Sequence, residues 1–172
     1  MAYYPPPQFQ STRSLEQYYA SKEGGNCAFA STTGAVSVGT SGGTYAAFLN
    51  PSNSGIDCYI ARTVVGTNRA GRIERYRNPT ILPVGSSQAI LNRGGGTNTA
   101  KSQLYAGSAA NVSGGTMSKV LFLPATSTDS SLENGAIILK PGQSYSFWFI
   151  PDTNQSALAT IELVWWELAT QI

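Results

Sequence analysis

Histidine is absent from the 172 residues of this chain. That absence removes the commonest general base, the commonest metal ligand and every Ser-His or Cys-His nucleophile pair. Charge is scarce as well: Asp, Glu, Lys and Arg make up 12% of the residues, about half the usual share. The formal net charge of +2 builds no strong single-sign field, so neither nucleic acid nor a membrane surface is an expected partner. No apolar run approaches the roughly 18 residues that a transmembrane helix needs. The opening "MAYYPPPQFQ" has no basic segment followed by an apolar one, so synthesis in a cytoplasm without a secretory signal is expected. Two cysteines, Cys27 and Cys58, are too few for a disulfide framework. Both stand in apolar, strand-like contexts and read as reduced core thiols, with a bridge between them as the alternative.

Little catalytic chemistry remains. None of the nine carboxylates falls in a calcium-loop pattern. Asp57, Asp129, Asp152, Glu162 and Glu167 are the candidates for a paired-carboxylate site of the glycosidase kind, and solvated surface groups are the simpler reading. The stretch "NRGGGTNTAKS" lacks the glycine-lysine spacing of a phosphate loop. No catalytic residue, cofactor or metal is therefore expected.

What is present is a folding composition, with 41% hydrophobic residues and abundant Gly, Ser, Thr and Asn. The first 25 residues stand apart from the rest. Residues 1–10 read as an extended arm, with Pro5, Pro6 and Pro7 favouring polyproline II and Tyr3, Tyr4 and Phe9 as apolar handles. "SLEQYYASKEGG" reads as one short helix, with Ser14 and Gln17 as a capping box and Gly24 and Gly25 as its stop.

From 26 to 172 the pattern becomes short β runs divided by turn residues. Candidate strands are 26–32, 35–40, 44–50, 56–66, 70–77, 86–92, 101–106, 117–123, 135–140, 143–150 and 156–168. The segment 92–115 reads as a long, glycine-rich excursion. Strands this short and this regularly spaced predict an antiparallel β-sandwich of jelly-roll type. Asn50-Pro51 with Gly55 is expected to form a turn, and Pro79 to end a strand. Lys140-Pro141-Gly142 is expected to form a type II turn joining two core strands as a hairpin. In "TIELVWWELATQI", period-two alternation sends Trp165 into the core with Ile161 and Leu163. Trp166 then falls on the opposite face with Val164, closed by the helix, the arm or another subunit.

Six of the eleven basic residues lie between Arg62 and Arg93, with Glu74 as the one acid among them. Such a stripe can be a solvated strand face, a phosphate contact or a site for an acidic protein surface. The small net charge favours protein over phosphate. Arg72, Arg75 and Arg77 are the candidates.

Four stretches, "FLNPSNSGIDCYIARTVVGT", "RYRNPT", "GAIILKPGQSYSFWF" and "ELVWWE", resemble small accessory virion proteins of tailed bacteriophages. The likeness runs from about Tyr45 to Glu167. It implies a non-enzymatic β-sandwich, often trimeric, located in the virion. The expected function is to decorate or cement a capsid as a homo-oligomer, a trimer being favoured, by binding the major capsid protein or other virion proteins. Its expected interface is drawn from Tyr3, Tyr4, Pro5, Pro6, Pro7, Phe9, Arg72, Arg75, Arg77 and Trp166. The alternative is a tail-fibre or head-fibre module that binds the host surface or its glycans. A carboxylate-dependent carbohydrate-active enzyme is the remote one.

Overall fold

Runs of β-branched and aromatic residues, cut by glycine, proline and asparagine, set the strand boundaries. The computed structural model describes residues 28–33, 36–38, 42–80, 85–93, 97–109, 112–153 and 156–170. The strands are β1 (Ala28–Thr32), β2 (Val36–Val38), β3 (Gly43–Leu49), β4 (Ile56–Thr67), β5 (Gly71–Arg77) and β6 (Ser86–Ser87). They continue with β7 (Leu91–Asn92), β8 (Gln103–Ala109), β9 (Thr116–Leu123), β10 (Ser127–Leu139), β11 (Ser144–Pro151) and β12 (Ala157–Ala169). Among the described residues there is no helix. The expected arm and helix, and Cys27, lie outside the described residues.

Two antiparallel sheets pack face to face. The first runs β10-β4-β12-β1-β7, with β2 continuing the line of β1 along β12. Thr33 joins these two pieces by donating its backbone N–H to Ile161 O and accepting from Ile161 N on its hydroxyl, both at 3.0 Å. The second sheet runs β6-β8-β3-β11-β5-β9. Connections from β5 to β6 and from β8 to β9 each pass from one side of β3 and β11 to the other, and they meet where Thr80 pairs with Ser113.

Alternation builds the core. Ala157, Ala159, Ile161, Leu163 and Trp165 of β12 face inward against Phe48, Phe147, Phe149 and Ile73 of the second sheet. Trp165 is fully buried, its ring 4.8 Å from Phe48 in an edge-on contact and 6.1 Å from Phe29. The β4 pattern changes phase midway. Arg62 pairs Val164 while Ile60 pairs Trp165, so Ala61 is an extra residue. This bulge moves the inward set from Ile56, Cys58 and Ile60 to Thr63, Val65 and Thr67. The bulge sits in β4 and leaves β12 unbroken, which is why Trp165 stays inside as the alternation predicts.

The turns behave largely as their residues dictate. Gly55 takes φ +66°, and Asn50 binds the neighbouring turn through its side chain, donating to Ile56 O at 2.7 Å and Leu139 O at 2.9 Å. Pro141 and Gly142, the latter at φ +83°, occupy the middle of a type II turn closed by Gln143 N–H to Lys140 O at 3.0 Å. That turn does not make a hairpin. Its flanking strands β10 and β11 lie in different sheets, so it carries the chain across the sandwich. The first half of β10, "STDSS", was not expected as strand, because an edge strand facing water needs no apolar alternation. Within segment 92–115 the expected strand 101–106 is β8, shifted to Gln103–Ala109 and paired along its length to β3.

Trp165→Ala is expected to cost about 3–5 kcal/mol of folding stability, the range for a buried large aromatic. Trp166→Ala, on the outer face, is expected to cost clearly less in the same denaturant melts. Equal losses would mean that both indoles support the core.

Candidate interaction faces

The row of residues that β12 turns away from the core defines one outer face. Strand register sets Leu91, Ala30, Val164, Arg62 and Leu132 side by side across β7, β1, β12, β4 and β10. A second row aligns Trp166, Tyr59 and Ile138. Leu91 is 69% exposed, Leu132 56% and Leu158 44%, although all three are apolar. Trp166 is half-buried. One ion pair sits between the leucines: Arg62 Nη2 lies 2.5 Å from Glu162 Oε1, each side chain about a third exposed.

The opposite outer face belongs to the second sheet. Met117, Val120 and Phe122 of the edge strand β9 line up with Tyr76, Glu74 and Arg72 of β5. Phe122 is 76% exposed and Met117 52%. Farther in, Gly43 lets Trp148 lie flat on the sheet, since a Cβ at that position would collide with the indole and with Phe149 O. On β5, Glu74 accepts from Arg72 Nε at 2.8 Å and from Tyr76 Oη at 2.6 Å. This bond to the Glu74 carboxylate, with burial second, pushes the Tyr76 phenol up to about 12. Burial raises the Glu74 carboxyl, but the hydrogen bonds from Arg72 and Tyr76 and the arginine charge outweigh it, and the net shift is downward.

The three candidate arginines separate. Arg72 is on the surface, held by Glu74. Arg77 is exposed at the strand end and donates to Ile138 O of the other sheet at 2.5 Å. Arg75 is 1% exposed, which corrects its assignment to an interface. It points between the sheets in line with Ile73, with Nη1 2.5 Å from Glu133 Oε1, Nη2 3.1 Å from Ser131 Oγ and Cζ 5.3 Å from the Phe147 ring centroid. Glu133 reaches it because β10 carries four residues between Leu132 and Ile137 where β4 carries one. The parity of β5 carries the sign that was missed: 73 and 75 share a face, and 72, 74 and 76 share the other. Tyr3, Tyr4, Pro5, Pro6, Pro7 and Phe9 lie outside the described residues.

Four of the five candidate carboxylates hold internal donors. Glu167 accepts from Lys101 N at 2.9 Å, Ser102 N at 3.0 Å, Ser102 Oγ at 2.5 Å and Trp165 Nε1 at 3.2 Å, tying the chain before β8 to β12. Asp57 accepts from Lys140 Nζ at 2.5 Å and Thr170 Oγ1 at 3.2 Å, and its hydrogen bond raises the Lys140 ammonium above its usual value. Glu162 pairs with Arg62, and Asp129 lies 3.6 Å from Arg75 Nη2. Cys58 is free and buried; burial, then the charge of Glu167, raises its thiol well above the ordinary value. Among the described residues no cluster of three or more Cys, Asp or Glu side chains is placed to hold a metal ion.

The exposed apolar residues Leu91, Met117, Val120, Phe122, Leu132 and Leu158 were not singled out from sequence. Alternation says that a side chain faces out, but it does not say whether that strand is central or at an edge. Comparison with protein-family models, with curated proteins and with solved structures finds no match.

Tyr76 gives a direct check on this surface. Its phenol is raised relative to the unfolded chain, so the stability it adds is complete below about 10 and is lost as pH climbs through about 12. A difference titration of wild type against Tyr76→Phe at the phenolate absorbance band should show one transition near 12 rather than near 10. A transition at the ordinary value would mean that the bond to Glu74 is not made in solution.

Proposed function

We propose that this chain is a non-catalytic virion structural protein of a tailed bacteriophage, which decorates or cements the capsid as an oligomer by binding neighbouring shell subunits. The observation that carries the reading is the pair of apolar outer faces. Leu91, Leu132 and Leu158 are exposed on one side of the sandwich, and Met117, Val120 and Phe122 on the other. A protein that contacts both its own copies and a shell needs two such surfaces. Scattered single apolar residues need no explanation, but Met117, Val120 and Phe122 follow one another along one edge strand, and contiguous apolar surface marks a contact site.

The finer fold reading, a jelly roll, is supported by the strand order. Leaving aside β6, β7 and β8, the sheets are β10-β4-β12 with β1 and β2, and β9-β5-β11-β3. With β1 and β2 counted as one interrupted strand, successive strands alternate between these sheets at every step except from β5 to β9, where β6, β7 and β8 are inserted. Two four-stranded sheets wound in this way are the pattern common in capsid and lectin domains. Fold alone does not decide function, and the faces carry the weight.

Magnitudes favour a repeated contact over a single one. Burying three large apolar side chains removes on the order of 300 Å² from water, about 7 kcal/mol at 25 cal/mol/Å². Association costs about 4–15 kcal/mol, so one such contact is weak and many on a shell become strong. A fibre module that binds host glycans is the second reading, favoured by the aromatic row of Trp166 and Tyr59. Imaging purified particles with the protein labelled is expected to show it at repeated shell positions, and Phe122→Glu is expected to lower its occupancy at least tenfold without moving its melting temperature by more than a few degrees. Label confined to a fibre tip would overturn the capsid reading in favour of the second.

A further inference from the structure

A sheet edge presents a row of backbone N–H and C=O groups that another extended chain can pair. Among the described strands at sheet edges, β2, β6 and β7 have only two or three residues each. β10 opens on a polar run and is interrupted between Leu132 and Ile137. β9 differs from all of these. It has eight residues, five of them apolar, and among the described residues no backbone pairs with its far side. We propose that β9 takes an extended segment of a shell subunit as an added strand, the seventh of the second sheet. This deepens the capsid reading above at the surface of Met117, Val120 and Phe122, and it rests on that reading.

The usable part of this edge is bounded at both ends. β9 carries Met117, Ser118 and Lys119 where β5 carries Tyr76 and Arg75, so Ser118 is an extra residue and the ladder is irregular there. Pro124, which has no N–H, follows Leu123. Between them residues 119–123 pair regularly with β5. Five residues at about 3.3 Å each give about 17 Å of straight edge. Both sides of the strand are apolar over this stretch. Val120 and Phe122 stand on the outer side, 39% and 76% exposed, while Leu121 and Leu123 turn inward and are still only part-buried. An added strand closes the backbone row and covers apolar surface on both sides at once. A molecule lying on the outer face alone does neither. Lys119, exposed, is the one charge of the stretch, and a carboxylate opposite it completes a cross-strand pair. The segment that fits is thus five residues long, apolar opposite positions 120–123 and acidic at one end.

Backbone chemistry and size select the occupant. Sugars, phosphates and lipids carry no row of alternating amide donors and acceptors, so they leave the edge open; an extended peptide fills it. A second copy offers the same stretch of β9 and little more. Two sandwiches meeting edge to edge touch along about 17 Å and across two layers, about 20 Å with side chains, or about 340 Å². A stable complex buries about 800 Å² per partner. The edge facing β9 across the sandwich is β10, whose interruption denies it a second continuous ladder. In solution nothing repeats so small a contact. Segments presented by a shell repeat it at every position, and repetition makes a weak contact strong.

Peptide binding to the full chain tests the edge without any particle. The probe is an acetylated and amidated heptapeptide, Thr-Val-Ile-Val-Leu-Glu-Thr, whose Glu falls opposite Lys119 when it runs antiparallel to β9. At millimolar peptide the backbone amide signals of 119–123 should shift. Those amides in the stretch that exchange freely in the unbound protein should slow at least tenfold. Two versions of the probe, N-methylated at alternate positions, separate strand addition from adsorption on the face. One turns its methyl groups toward β9 and should not bind; the other turns them away and should bind. Lys119→Glu should weaken the probe about two- to fivefold, and exchanging the probe's Glu for Lys should restore it. On purified particles the amides of 119–123 should exchange more slowly than in the free protein. No binding, both methylated forms behaving alike, or an edge already protected in the free protein would each overturn the proposal. Label at shell positions with 119–123 unprotected would sink strand addition and leave the capsid reading standing. Label confined to a fibre tip would remove the shell as the partner, whatever the peptide does.

Discussion

Trp165 stands in the middle of a thirteen-residue strand whose neighbours on both sides are paired, and its indole crosses the interior to reach Phe48 of the facing sheet. That contact fixes the phase of β12. Once Trp165 is inside, Ile161 and Leu163 must also be inside, and Val164 and Trp166 must be outside. A slip of one residue would move the entire row, so the core and the outer face are two readings of one register. The bulge at Ala61 lets the long partner strand β4 follow this register while changing its own inward set. Glu167, two residues on and inward like Trp165, uses its carboxylate to hold the indole N–H and the chain entering β8.

Buried polar groups do the joining that apolar packing cannot specify. Asn50 couples two turns that carry the chain between sheets. Arg75 couples β5 to the irregular part of β10 through Glu133, Ser131 and the ring of Phe147. An ion pair of this sort adds little net stability compared with apolar packing, because desolvation offsets the attraction. Its value is geometric: removing one partner strands the other charge in the interior. The low charge count of the chain then leaves few ionic groups for the outside, and most of those with described partners are paired.

Strand existence was legible where alternation was strong, as in "SYSFWFIP" and "TIELVWWELA", and turns were legible where glycine and proline were obligatory. The sorting of strands into two sheets was not, because a turn such as Lys140-Pro141-Gly142-Gln143 can close a hairpin or cross a sandwich with the same local chemistry. The polar first half of β10 was missed for the same reason that the exposed apolar residues were: edge and centre are properties of the assembled sheet. Arg75 was grouped with its neighbours by charge, whereas its position in the alternation with Ile73 governs where it points. Cluster arguments on a strand need parity before sign.

Apolar side chains left exposed on the two outer faces form the centre of this account. Hydroxyl-radical footprinting read residue by residue tests them in one experiment. Assembled particles should protect Met117, Phe122, Leu91 and Leu132 relative to the free protein. All four reacting as freely on the particle as in the free protein would contradict it.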